Sequence, residues 1–174
     1  MRSLARYIIL TLLAISLAGC APKITYQPTS SFDLPEKATF AVASVVYSPN
    51  PLYGSENNVD FDIADRFNKA MNEALSDRDV LSATPDYILN IVIGYYKQGN
   101  AGLNFLIGGN MPELLATVSI YNNNSGELVG ELQSANNRGR GGIRGWDRIF
   151  DIVAEDFVTT LVDSSTRRAN TKKQ

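Results

Sequence analysis

Tyr87-Ile88-Leu89-Asn90-Ile91-Val92-Ile93-Gly94-Tyr95-Tyr96-Lys97-Gln98 is the strongest β-forming stretch of this chain. Branched and aromatic residues dominate it, and such side chains suit a pleated, half-buried surface. Tyr87, Leu89, Ile91, Ile93 and Tyr95 alternate with Ile88, Asn90, Val92, Gly94 and Tyr96. The first set is expected on one face of a strand and the second on the other. Pro85 and Asp86 mark where it begins.

Working downstream, residues 99–112 place Gly99, Gly102, Gly108 and Gly109 around Leu103, Phe105, Leu106 and Ile107. Two readings stand side by side. Either this is a wide hairpin whose apolar segment folds back on the core, or it is a loop that binds a partner or touches a membrane. Glu113 to Asn122 is a second strand, with Leu114, Ala116, Val118 and Ile120 alternating with Leu115, Thr117, Ser119 and Tyr121. Asn122 to Gly126 has turn chemistry. Glu127 to Ser134 completes a hairpin, with Leu128 and Leu132 expected on one face.

Arg138-Gly139-Arg140-Gly141-Gly142-Ile143-Arg144-Gly145 follows. It is not a phosphate loop. The third glycine of G-x-G-x-x-G falls on Arg144, and there is no Gly-Lys-Ser/Thr. Arg138, Arg140 and Arg144 either stay solvated or grip an anionic ligand or acidic partner. A last helix is expected from Trp146 to Asp163, with Ile149, Phe150, Val153, Phe157 and Leu161 on one stripe. Residues 165–174, with Arg167, Arg168, Lys172 and Lys173, read as a disordered basic tail.

Working upstream, Thr39 to Tyr47 is a strand that looks apolar on both faces and is therefore expected at the centre of the sheet. A polar loop from Ser48 to Val59 leads into a helix capped by Asp60 or Asp62. Ile63, Phe67, Ala70, Met71, Ala74 and Leu75 fall on one face of that helix, and Ser76 and Asp77 end it. Asp60, Asp62 and Asp65 lack the glycine and terminal glutamate of a calcium loop, so they are read as helix-end acids. Val80 to Ser82 is expected as a short strand.

A strand, a helix and another strand in sequence imply a right-handed parallel crossover, and the later strands form an antiparallel meander. Each helix has one apolar stripe, so both are expected on the same face of the sheet. The fold class is α+β: a two-layer sandwich with a mixed, mainly antiparallel sheet, spanning residues 36–164.

The amino terminus has a different purpose. Arg2 and Arg6 precede an apolar run from Tyr7 to Leu17, the layout of a signal peptide over residues 1–19. The run is too short for a bilayer core of about 30 Å. Leu17-Ala18-Gly19-Cys20 follows, and Cys20 is the one cysteine in the chain. This stretch resembles the lipobox of bacterial lipoproteins. The resemblance implies cleavage before Cys20, acylation of its sulfur and amino group, and membrane attachment through those acyl chains, because two or more chains anchor stably. Ala21 in place of aspartate implies passage to the outer membrane. Residues 20–35 read as a lipidated tether, extended by Pro22, Pro28 and Pro35 and able to span about 50 Å. The alternative is that part of it packs on the domain around Ile24, Tyr26 and Phe32.

Composition narrows function. The chain has 174 residues, 44% of them hydrophobic, enough for a core. Without Arg2 and Arg6 there remain 14 basic against 18 acidic residues, about −4, which argues against nucleic-acid binding. There is no histidine, so the commonest general base and metal ligand is missing. No cofactor or metal is expected, and the chain is not expected to be an enzyme. The alternative is an envelope hydrolase working without histidine.

Taken together, the lipobox, the strand Tyr87 to Gly94, the turn Asn124-Ser125-Gly126-Glu127 and the glycine-rich lead into the final helix resemble a group of bacterial outer-membrane lipoproteins of uncharacterised role. That group is similar in shape to the amino-terminal domain of TolB and to the curli-secretion lipoprotein. The sequence offers no paired acids at recognisable spacing outside the helix cap, which favours a periplasm-facing binding or assembly module with an envelope protein partner over a hydrolase. Leu103, Phe105, Leu106 and Ile107, rimmed by Arg138, Arg140 and Arg144, are the candidate contact residues.

Overall fold

The structure is a computed structural model that describes residues 27–28, 34–51, 59–98, 112–134, 137–138 and 148–171, with 27–28, 137–138 and 166–171 described by their backbone alone. In chain order the elements are β1 (Gln27–Pro28), β2 (Phe40–Tyr47), α1 (Ile63–Asp77), β3 (Tyr87–Lys97), β4 (Glu113–Asn122), β5 (Leu128–Gln133), β6 (Asn137–Arg138) and α2 (Ile149–Thr171). The strand order across the sheet is β1-β5-β4-β3-β2, with β6 also on β4. β2 runs parallel to β3, and the other neighbours are antiparallel. This is the expected α+β sandwich, with one face of the sheet covered by no described element.

β2 is an edge strand, not the central one expected. Its apparent two-faced apolarity has a local cause. A bulge between Val42 and Ser44 shifts the register, so Phe40 and Val42 point inward before it and Val45 and Tyr47 after it. One extra residue changes which parity faces the core. The same device corrects two other expectations. At Gly94 a shift between Ile93 and Tyr95 buries Tyr96 and leaves Tyr95 only half-buried. A shift opposite Ile120 and Tyr121 leaves Leu128 52% exposed while Leu132 is fully buried, so these two leucines lie on opposite faces.

Both helices pack on the inward face. Phe67 of α1 and Phe157 of α2, each fully buried, meet edge to face at 6.5 Å. Below them lie Leu89, Ile91 and Ile93 of β3, with Leu114, Val118 and Ile120 of β4, all fully buried. Asp62 is the cap of α1: its Oδ1 accepts the Asp65 N–H at 3.0 Å. The helix closes where Asp79, at φ 55°, turns the chain so that the Val80 N–H reaches the Leu75 carbonyl at 3.1 Å. Glycine is the usual residue there, and aspartate is one of the few others that tolerates it. The β4–β5 turn is held by Asn122, whose Oδ1 accepts the N–H groups of Asn124 and Ser125. Gly126, at φ 72°, supplies the left-handed residue.

Three further expectations are corrected. The short strand at Val80 to Ser82 is a single bridge from Leu81 to Phe40. The tether is not free up to residue 35, since Gln27–Pro28 pair with β5 and Leu34 is fully buried in the core. The final helix does not stop at Asp163. It runs to Thr171, so most of the segment read as a disordered tail is helical. Ser164 and Ser165 bond their hydroxyls back to the carbonyls of Thr160 and Val162, which lets polar residues continue the helix.

Candidate functional site

Three segments outside the described residues, 52–58, 99–111 and 139–147, all attach at one end of the sheet. β2 and β3 finish there, β4 begins there, and β6 lies beside the start of β4. The register makes this concrete: Lys97 faces Glu113, and Glu113 faces Arg138. Ser134 secures the approach. Its buried hydroxyl accepts the Ala116 N–H at 2.7 Å, and its own N–H donates to the Ala116 carbonyl at 2.9 Å. That fastens β5 to β4 just before β6. Nothing in the local sequence marked Ser134, because serine before a glycine-rich loop reads as solvated.

Of the candidate contact residues, only Arg138 falls within the described residues, and only by its backbone. Leu103, Phe105, Leu106, Ile107, Arg140 and Arg144 lie outside them, as does the expected lipidation site Cys20. The structure does bring the roots of the two segments together. One leaves at Gln98 and returns at Pro112, and the other leaves at Arg138, next to Glu113.

Beside these roots sits an aromatic cluster. Tyr96 stacks on Phe150 at 5.1 Å, and Phe61 meets both rings edge-on at 5.9 Å. The Arg66 guanidinium lies 5.9 Å from the Phe61 and Phe150 ring centres, within cation–π range. A concavity of about 500 Å³ opens between the end of β2 and the start of α1, lined by Val45, Tyr47, Val59, Phe61 and Ile63 among others. Among its described lining residues the acid is Asp62, which is already engaged in capping α1.

The opposite end of the sheet is closed by hydrogen bonds. Thr39 donates to Asp86 Oδ2 through both its N–H, at 2.9 Å, and its hydroxyl, at 2.8 Å. The Asp86 N–H returns to Thr39 at 3.1 Å. These bonds hold the Asp86 carboxyl below the usual carboxylate range, against a weak opposing effect of burial.

The second candidate surface is the sheet face that no described element covers. Rows of side chains cross four strands here, as the register dictates. Ala41, Ile88, Tyr121 and Leu128 form one row, and Ser44, Asn90, Ser119 and Glu131 the next. Within the polar row Ser44 donates to Asn90 Oδ1 and Ser119 to Glu131 Oε1, both at 2.9 Å. Val46 and Val92 lie side by side in a third row, 50% and 47% exposed. Sequence reading missed this face as a candidate because the parity shifts disguised it. Among the described residues, no helix is long and apolar enough to cross a membrane.

No family model and no curated protein matches this sequence. Solved structures do match in shape. A PelC dodecamer from Paraburkholderia phytofirmans aligns with TM-score 0.51 at 14% identity, covering 80% of this chain and 96% of that one. A second crystal form of that dodecamer gives 0.50. A Xanthomonas campestris protein of family DUF330 aligns with TM-score 0.50 at 10% identity, covering 86% of this chain and 97% of that one. The finer resemblance, to TolB and the curli-secretion lipoprotein, rests on the sequence motifs alone. What this chain is similar to, at these identities, is a fold: two helices on one face of an open mixed sheet.

Proposed function

We propose that the protein is a lipid-anchored envelope lipoprotein that works by binding, as an assembly module for a periplasmic or outer-membrane partner, and not by turnover. The lipobox at Cys20 supports the anchor, and Ala21 supports the outer membrane. The observation that carries the binding role is the uncovered sheet face, where Val46, Val92 and Leu128 remain about half exposed on a rigid four-stranded platform. Exposed apolar groups collected on one face mark interaction surfaces. PelC, whose fold this chain shares, is a dodecamer, which supports a second copy of the chain as the first partner to seek. The segments bearing Leu103, Phe105, Leu106, Ile107, Arg138, Arg140 and Arg144 form the second contact region, toward partner or bilayer.

The test is site-specific photocrosslinking in intact envelopes. A crosslinker at Val46, Val92 or Leu128 should yield products at multiples of the chain's mass, or one discrete heavier species. A crosslinker at Glu73, exposed on α1 in the other layer, should yield none. Monomer alone from all three sheet positions would remove the binding role from this face.

A further inference from the structure

We infer that the outer edge of β2 takes up an extended, uncharged segment of a partner protein as an added strand, with one of its side chains seated in the concavity beside that edge. This rests on the binding role proposed above, but at a different surface from the face carrying Val92 and Leu128. The Tyr87 N–H donates to the Thr39 carbonyl and the Ser48 N–H to the Ile93 carbonyl, so these positions are turned toward β3. Backbone groups alternate between the two sides of a strand. The register, with its step between Val42 and Ser44, then turns Phe40, Val42, Val45 and Tyr47 away from β3. Phe40 is already used there: its N–H reaches the Val80 carbonyl at 2.8 Å, and its carbonyl accepts the Ser82 N–H at 3.0 Å. That bridge shows that this side of β2 pairs with extended backbone. It stops at Ser82, and no described residue pairs with Val42, Val45 or Tyr47 on that side. The free stretch has definite ends. Below it is the Leu81 bridge, and above it Pro49 has no N–H to donate. Edge strands are usually blunted by charge or proline. Ala38 to Ser48 contains neither, so the edge keeps its capacity to pair. Val42 to Tyr47 spans roughly 17 Å, the length of a short strand.

The concavity supplies the other half. It holds about 500 Å³, and Val45, Tyr47, Val59, Phe61 and Ile63 line it. Val45 and Tyr47 thus offer backbone to an added strand and side chains to the concavity. Main-chain bonds give such a complex its affinity, and a pocket for alternate side chains gives it selectivity. The lining sets the chemistry. Its described residues include no base, and their acid, Asp62, caps α1. An ionised side chain entering there would lose its hydration and gain no counter-charge. The Tyr47 hydroxyl is buried and has no hydrogen-bond partner. The fitting occupant is therefore an apolar side chain with a neutral hydrogen-bonding group next to it.

The probe is a short, end-blocked peptide of alternating threonine and valine with one central phenylalanine. It is titrated into the full mature chain and followed by residue-resolved amide hydrogen exchange. In the free protein the Val45 and Tyr47 amides should exchange about tenfold faster than the bonded amides of Phe40 and Ser48. Saturating peptide should slow exchange at Val45 and Tyr47 by about tenfold and leave Phe40 and Ser48 unchanged. If Val45 and Tyr47 are as protected as Ser48 before peptide is added, the edge is already covered and the proposal fails. Absence of saturable binding also overturns it. Protection that rises with protein concentration, without peptide, assigns the edge to a second copy and overturns it as well. A peptide methylated at alternate backbone nitrogens, and one with aspartate for phenylalanine, should each bind about tenfold more weakly. Equal affinity refutes the added strand in the first case and the seated side chain in the second. Val59→Lys, which fills the concavity, should weaken binding while Ser48 stays protected, and unchanged affinity again refutes the seating. Crosslinking from Val46, Val92 and Leu128 is read separately, so failure here leaves the binding role of that face standing.

Discussion

Ile91 and Val92 are neighbours in β3 with nearly the same side chain, yet one is fully buried and the other 47% exposed. The difference lies in what the sheet faces. Ile91 sits under two helices, among the side chains that close the core. Val92 sits in a row with Val46 and Thr117, on a face that no described element covers. The inward rows are apolar almost throughout, with the buried Ser134 beside Ala116 as the exception. On the outward face, an apolar row alternates with the hydrogen-bonded row of Ser44, Asn90, Ser119 and Glu131. A core can be nearly all apolar because it meets no water, and the polar groups it does hold are hydrogen-bonded, as Ser134 is. A surface that meets a partner and also stands in water needs polar groups between its apolar ones.

The comparison breaks most visibly on the covered side. Phe67→Ala and Phe157→Ala should each cost about 3–5 kcal/mol, because each empties a closed site under the opposite helix. Urea denaturation checks this, and two wild-type midpoints would mean the helices do not meet there. A smaller contribution belongs to neither face. Asp86→Ala should cost roughly 1 kcal/mol, since the bonds from Thr39 are exposed and screened by solvent. The folded carboxyl titrates below its unfolded value near 3.9, so its contribution is complete above that pH and is lost as pH falls through the folded value. Stability measured from pH 5 downward should fall less steeply in the variant than in the wild type. The smallest effect is on the open face. Val92→Thr should change stability by less than about 0.5 kcal/mol. It should nonetheless reduce crosslinking from position 46, and a clear loss of stability instead would mean the face is covered.

Much of this was legible in the residues. The stripe Ile63, Phe67, Ala70, Met71, Ala74 and Leu75 appears as the buried side of α1, and Phe157 meets Phe67. The span of β4 matches to the residue, since nothing interrupts its alternation. Failure came where a single residue changed the parity. At Ala43, Gly94 and Val129 the chain steps out of register, and every assignment beyond the step reverses. Gly94 did carry a signal, because glycine within a strand often marks a bulge. Ala43 and Val129 carried none, as their side chains fit a regular strand equally well. The latch at Thr39 and Asp86 was hidden for another reason: its partners lie 47 positions apart. The candidate contact residues lie outside the described residues except for the Arg138 backbone; what the topology does bring together, as the meander implied, is the roots of both glycine-rich segments.

That long separation has a kinetic meaning. β4 and β5 are joined by the short turn 123–127, so their pairing closes a small loop. β2 finds β3 only after the whole of α1 lies between them, and Ser44 meets Asn90 across 46 positions. Closing that larger loop costs more chain entropy and is rewarded only when α1 also finds the core. The meander is thus the part that assembles early, and the parallel edge joins last. Loop closure is therefore expected to pair β3 with the meander before its parallel side, with the docking of α1 and β2 as the step that completes the domain.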